Sequence, residues 1–198
     1  MMLWNPYLDL FLSLPSWCRR TYLGGWDTCS EYLPGWLDFK LPIVSAYSWA
    51  VPTEKAILTI RRHANRLIEI GSGNGYWAWL LWQAGAHVRA FEIFPPLHVW
   101  YPIEAGNELE SARFPDHALF LCWPPQGSNM ADDALRRYSG DVVVYVGEWM
   151  VGCATPEFFW RLREHFHAVD VVELPQWSMR HDRLLVFRRN YPGSGAPR

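Results

Sequence analysis

The chain has 198 residues, half of them hydrophobic, 19% charged, with a net charge of −2. That composition excludes a disordered polymer, and the near-neutral balance gives no basic field for nucleic acid or an anionic membrane surface. The length fits one domain with an added segment and suffices for a substantial core.

The start, MMLWNPYLDLFLSLPSWCRR, is apolar but carries Pro6, Asp9 and Pro15. It lacks a basic leader and a small-residue cleavage site, so it reads as neither a signal peptide nor a membrane span, and the default location is cytoplasmic. Residues 1–50 are rich in Trp, Tyr, Leu and Pro without strand alternation. Short helices and loops are expected there, with Gly24, Gly25, Pro34 and Gly35 interrupting any long helix. So aromatic a segment packs down on another surface, as a cover for one side of the domain or as a lid over a pocket. The four cysteines, Cys18, Cys29, Cys122 and Cys153, form no C-x-x-C pair and have no histidine at zinc spacing. They read as scattered free thiols of a reducing compartment, with no metal site.

From residue 52 the pattern is regular. PTEKAILTIRRHA predicts a helix with Pro52 near its first turn and Thr53 as N-cap. NRLIEI is a short strand ending at glycines. GYWAWLLWQAG is a helix with an apolar, aromatic face, closed by Gly85. AHVRAFEI is the next strand and WYPIEAG a weaker third. HALFLCW is a continuous apolar run, as a strand buried on both faces should be. MADDALRRYS is a helix closed by Gly140, and DVVVYVGE another buried strand. TPEFFWRLREHF opens with Thr155, Pro156 and Glu157, good chemistry for a helix start. AVDVVELPQW and DRLLVFRR are the last two strands, and residues 191–198 form a tail. Alternating strands and helices predict an α/β fold: a doubly wound, mostly parallel seven-stranded sheet in residues 51–190. Its last two strands have no helix between them and pair antiparallel.

In such a sheet, ligands sit beyond the carboxyl ends of the strands, where strand order reverses. The first strand-to-helix turn is Glu69-Ile70-Gly71-Ser72-Gly73-Asn74-Gly75. Bare glycines let the chain turn tightly and let ligand atoms approach the backbone. The following helix offers its positive end to a carboxylate or phosphate. Dinucleotide sites usually carry G-x-G-x-x-G, whose third glycine would fall where this chain has Tyr76. Glu92 ends the next strand, where a carboxylate can accept both hydroxyls of a ribose.

The pattern E-x-G-x-G-x-G resembles motif I of class I S-adenosylmethionine-dependent methyltransferases. With YSWAVP, LCWPP and VGEW it resembles a group of methyltransferase-like proteins over about residues 47–189. The resemblance implies a Rossmann-like methyltransferase fold and S-adenosylmethionine held by Glu69, Gly71, Gly73, Gly75 and Glu92. Many such enzymes carry Gly-Asp after the third strand, the acid receiving the adenine amino group. Gly106-Asn107 matches that place, with Glu104 or Glu108 as substitutes. Those acting on amino groups of bases or glutamine carry Asn/Asp-Pro-Pro-Tyr/Phe after the fourth strand. This chain keeps the two prolines but opens with Trp123, which has an indole N–H and a flat face but no acceptor oxygen. Trp123 is therefore a candidate for stacking on a planar or cationic substrate or on the sulfonium, with core packing as the alternative. Tyr47 and Trp49 are candidates to fold over the cofactor. Glu148, ending the fifth strand, is the first candidate for a base where the nucleophile must lose a proton, ahead of His117 and His181.

The leading expectation is a methyltransferase whose acceptor, small molecule or protein, the sequence does not name. The alternative is a binding or scaffold protein on the same fold with a degenerate catalytic edge. A nicotinamide-dependent oxidoreductase needs a different glycine spacing and hydride-chemistry residues that the chain does not show.

Overall fold

The computed structural model describes residues 3–15, 18, 36–178 and 180–191. The expectations for the interrupted stretch around Gly24 to Gly35, for Cys29 and for residues 192–198 lie outside them. Seven strands form one sheet: β1 (Arg66–Ile70), β2 (His87–Glu92), β3 (Ile103–Ala105), β4 (Ala118–Cys122), β5 (Val142–Glu148), β6 (Phe166–Glu173) and β7 (Asp182–Arg189). Their spatial order is β3-β2-β1-β4-β5-β7-β6. The first five run parallel, and β7 is antiparallel to both β5 and β6. The fold is the expected doubly wound, mostly parallel Rossmann-like sheet with its antiparallel C-terminal pair. The chain reaches the sheet edge in β6 and returns in β7 between β5 and β6, in a register that sets Glu148 opposite Asp182. Strand order reverses between β1 and β4, and that reversal opens a crevice at their carboxyl ends.

Strand periodicity sorts the core into two layers. Leu67, Phe120, Val144 and Val146 point to one face, against α3 (Glu54–His63) and α4 (Tyr76–Gln83). Ile68, Leu119, Val143 and Tyr145 point to the other, against α5 (Met130–Arg137) and α6 (Pro156–His165). Each central strand therefore carries apolar side chains on both faces, which explains the unbroken apolar runs. Thr53 caps α3 by accepting from Ala56 N–H at 3.1 Å. Thr155 occupies the N-cap of α6, but its hydroxyl makes no capping bond. Gly85 adopts φ +83° just past α4, as a helix-closing glycine does. Gly140 serves close packing instead, since a Cβ there would lie 2.4 Å from the Pro115 carbonyl. The last α6 residue, His165, runs straight into β6, so that strand starts earlier than its apolar pattern announced.

The N-terminal region contributes α1 (Pro6–Ser13) and α2 (Trp36–Ala46), and Tyr7, Phe11, Val44, Ala50 and Val51 join the α3/α4 core layer. Buried hydrogen bonds fix this docking. Asn5 caps α1 by accepting from Leu8 N–H, and its amide donates to the Pro52 carbonyl at 2.9 Å. The Tyr76 hydroxyl, on α4, donates to Asn5 Oδ1 at 2.8 Å and accepts from Tyr7 N–H at 3.1 Å. Trp177 Nε1 donates to the Tyr7 hydroxyl at 2.9 Å. Aromatic contacts continue the joint, with Tyr7 stacked on Tyr47 at 4.8 Å and Trp100 packed on both Tyr47 and Trp79. No helix among the described residues is long and apolar enough to cross a membrane.

Removing the Tyr76 hydroxyl strands the buried Tyr7 N–H and takes one of two donors from Asn5 Oδ1, so Tyr76→Phe should lower unfolding free energy by about 1–3 kcal/mol. Asn5→Ala should cost a similar amount, and because both act through one network the double variant should deviate from additivity by at least about 0.5 kcal/mol in denaturant titrations. Trp177→Ala should cost about 3–5 kcal/mol by the same measurement, since a large, fully buried ring and its hydrogen bond are lost together.

Candidate active site

The crevice at the carboxyl ends of β1, β2 and β4 is a cavity of about 500 Å³. This lies within the range of small-molecule sites. Its floor is the turn from β1 into α4, and all three turn glycines have left-handed backbone, with φ of +73°, +58° and +77° at Gly71, Gly73 and Gly75. A side chain at Gly71 would meet the Met130 methyl at 2.9 Å, and one at Gly75 would press on Tyr101. At Gly73 the space beyond the backbone is open, with nothing within 4 Å of a built Cβ. The first and third glycines thus answer to packing, and the middle one presents bare backbone at the cavity.

Two of the predicted acids meet at this turn. Glu92 accepts from Gly73 N–H at 2.9 Å through Oε2 and from Ile93 N–H at 2.9 Å through Oε1. Each oxygen keeps accepting capacity toward the cavity it lines. Glu69 lines the same cavity at 1% exposure, and its Oε2 has no hydrogen-bond partner among the described residues. Burial, then the nearby Glu92 charge, push its carboxyl up to about 8, against a backbone hydrogen bond at Ala78 that opposes the shift. Ser72 also lines the cavity, and its buried hydroxyl has no partner among the described residues. Asn107 lies at the edge beside Gly106 and Glu108. Its carbonyl oxygen already accepts from Leu109 N–H at 3.0 Å, capping a short 3-10 helix (Glu108–Arg113). Glu104 does not line the cavity and is held in a two-pronged pair by Arg89.

The remaining wall is aromatic. Tyr47, Trp49, Tyr76, Trp77 and Trp123 line it, with Ser48 and Cys122 between them. Trp123 stacks on Trp49 at 5.3 Å between ring centres. Its backbone is left-handed at φ +50°, which costs a bulky residue about 1–3 kcal/mol. Two bonds hold it there: its N–H donates to the Val146 carbonyl at 2.8 Å, and its indole Nε1 donates to Asp182 Oδ1 at 2.7 Å. Asp182 is fully buried, and burial pushes its carboxyl up to about 7, opposed first by the Trp123 hydrogen bond. Lys40 lies behind the same wall, over the rings of Trp49 and Trp177. Burial raises the Cys122 thiol well above its ordinary range.

Of the predicted residues, Glu69, Gly71, Gly73, Glu92, Asn107, Trp123, Tyr47 and Trp49 converge on the cavity, and Gly75 shapes its floor from behind. Glu148 does not line it. It is buried at the end of β5, accepts from His181 N–H at 3.0 Å and lies 3.7 Å from the Arg180 guanidinium. His117 pairs with Asp116 at 2.8 Å away from the cavity, and His181 lies on the Glu148 side. Sequence reasoning missed Ser48, Ser72, Trp77 and the anchor Asp182. Ser72 was readable as a variable position inside the glycine motif. Asp182 was not, because its place beside Trp123 depends on the β5–β7 register.

No protein-family model matches the chain, and no curated protein matches it. Solved structures match it in fold. One is a Burkholderia thailandensis 1,6-didemethyltoxoflavin-N1-methyltransferase with bound 1,6-didemethyltoxoflavin and S-adenosylhomocysteine. It is 18% identical, with a TM-score of 0.52 over 70% of this chain and 78% of that one. Another is a Streptococcus pneumoniae protein assigned as a tRNA (m1A22) methyltransferase, 11% identical, with a TM-score of 0.51 over 73% of each chain. The chain thus shares the Rossmann-like fold on which these proteins are built.

Proposed function

We propose that the chain is an S-adenosylmethionine-dependent methyltransferase. The observation that carries this reading is the buried Glu69 carboxyl group, with one unpartnered oxygen, lining a cavity beside an open glycine turn. A buried carboxyl group so placed is costly unless a ligand completes it. The described lining contains the acids Glu69, Glu92 and Glu108 and no Lys, Arg or His. The site therefore favours a cationic ligand, and aromatic faces add to that preference. The Burkholderia protein of this fold holds S-adenosylhomocysteine, which supports the same cofactor class here.

S-adenosylmethionine, when bound, supplies a methyl group activated by a sulfonium sulfur. Glu92 would accept from the ribose hydroxyls, and the Gly71–Gly75 backbone would leave room for the aminoacyl part beside Glu69. Ser72 offers its hydroxyl, and α4 its positive end, to the cofactor carboxylate. Adenine recognition falls to Asn107, through the lone pair its capping bond leaves free, or to Glu108. Trp123 and Trp49 wall the methyl-transfer end and exclude water. Catalysis here rests on positioning, since in-line displacement of an activated methyl needs little else when the nucleophile carries a free lone pair.

A second reading, a cofactor-binding protein without turnover, is favoured by the Trp123 indole N–H being spent on Asp182 and by Glu148 lying outside the cavity. Labelled cofactor with fractionated lysate separates the two: a labelled product that vanishes in Gly73→Val supports the enzyme, and binding without product supports the second reading.

Calorimetric titration should show S-adenosylhomocysteine binding, reduced at least tenfold in Gly73→Val with the circular dichroism spectrum retained. No heat at millimolar ligand would overturn the proposal. The Glu69 carboxyl lies near 8 when folded, above its ordinary 4.5. The folded state therefore holds a proton that the unfolded state gives up between those values. Its stabilising contribution is full below about pH 4.5 and lost as pH rises through about 8. The unliganded protein should lose more thermal stability between about pH 6 and about pH 9 than Glu69→Gln does. A cationic cofactor draws out the ionised form, so its affinity should rise over the same interval and stay flat in Glu69→Gln.

A further inference from the structure

Taking the methyltransferase reading as its base, we infer that the methyl acceptor is a small, flat organic molecule whose nucleophile is an uncharged nitrogen. Three features carry this. The first is charge. The acids of the described lining are Glu69, Glu92 and Glu108, it contains no Lys, Arg or His, and the buried Glu69 ionises when a cationic ligand draws its proton off. The cations nearest the aromatic wall, Lys40 and Arg180, lie outside the lining and face acids of their own: Asp182 feels the charge of both, and Glu148 lies 3.7 Å from Arg180. A phosphate, carboxylate or phenolate entering the cavity meets repulsion without a compensating cation.

The second feature is the fate of charge in the reaction. The nitrogen lone pair forms the new N–C bond, the C–S electron pair departs with sulfur, and the positive charge moves from sulfur to nitrogen. A ring or tertiary nitrogen keeps that charge, and a primary or secondary amine passes its proton to water. The field that suits the sulfonium also suits the transition state and the product cation. An anionic oxygen acceptor would cancel the charge and gain nothing from the acids. A neutral hydroxyl or thiol acceptor would need a base; the cavity's own acids, Glu69, Glu92 and Glu108, are taken up by the cofactor in this reading, and His117, His181 and Glu148 do not line the cavity.

The third feature is enclosure. Ser45, Tyr47 and Ser48 line the cavity as its roof, and residues 45–48 are held by Asn74 of the glycine turn, Trp77 of the wall and Trp100 of the loop after β2. Asn74 Nδ2 donates to the Ser45 carbonyl at 3.0 Å, Trp100 Nε1 to the Ala46 carbonyl at 2.8 Å and Trp77 Nε1 to Ser48 Oγ at 3.1 Å. The stacked Trp49 and Trp123 continue this roof as a flat wall. A roof fixed in this way limits the space above the glycine turn and favours a small planar acceptor over a macromolecular segment.

The test uses three probes of similar size and different charge: quinoline, N-methylquinolinium and 2-naphthoate. Each is titrated into the full chain saturated with S-adenosylhomocysteine, read by calorimetry and by tryptophan fluorescence quenching. Quinoline and its N-methyl cation should bind, and 2-naphthoate should bind at least about tenfold more weakly. Glu69→Gln, nearly isosteric, should narrow the gap between cation and anion several-fold. Trp123→Phe should weaken the two nitrogen probes and shrink the quenching signal. Equal or tighter binding of 2-naphthoate to the wild-type chain overturns the acceptor class and leaves the cofactor reading standing. Failure of S-adenosylhomocysteine to bind at all overturns both.

Discussion

Three left-handed glycines in five residues set the geometry on which the rest of the crevice depends. The turn reverses the chain between a strand buried from Leu67 onward and a helix that must pack back on the same sheet. At Gly71 and Gly75 the neighbours Met130 and Tyr101 stand where a side chain would go, and at Gly73 nothing does. Glu92 is tied to that middle glycine through its amide, so the second strand's acid and the first strand's turn form one rigid edge. The carboxyl ends of β1 and β2 are thereby fixed relative to each other before any ligand arrives, which is the preorganisation a small-molecule site needs.

Around this edge the protein spends stability on placing polar groups. Glu69 sits on a central strand between Ile68 and Ile70, which pack on the opposite face. Its partial satisfaction and raised pKa follow from that position. Trp123 is held in a conformation few bulky residues adopt, anchored through the buried carboxyl group of Asp182, whose main-chain N–H donates to Gln176 Oε1. Strain and unmatched polarity of this kind cost stability that packing alone does not require, which is why they are a feature of binding clefts.

The aromatic N-terminal region resolves into structure on the same principle. Tyr7, Tyr47, Trp79 and Trp100 form a continuous joint between α1, the loop after α2, α4 and the loop after β2. This joint carries Ser45 to Trp49 over the glycine turn. Cover and cavity wall are the same segment, because the rings that bury one face of α4 also deliver the roof. Fixing that roof with hydrogen bonds to Asn74, Trp77 and Trp100 makes its position a property of the core.

The sequence by itself determined the fold class, the element order and the turn, because continuous apolar runs, helix caps and glycine spacing are local and each is written in contiguous residues. It also placed Glu69 and Glu92, since both sit at fixed distances from those glycines. What only the tertiary structure decided was how distant segments meet. The return of β7 between β5 and β6 sets Asp182 beside Trp123, and a strand register linking residues far apart leaves no local mark. The same register draws Glu148 toward His181 and Arg180 instead of the cavity. Asn107 was legible as a residue in the right place. That its carbonyl caps a short 3-10 helix emerged only when that helix's free amides had to be satisfied.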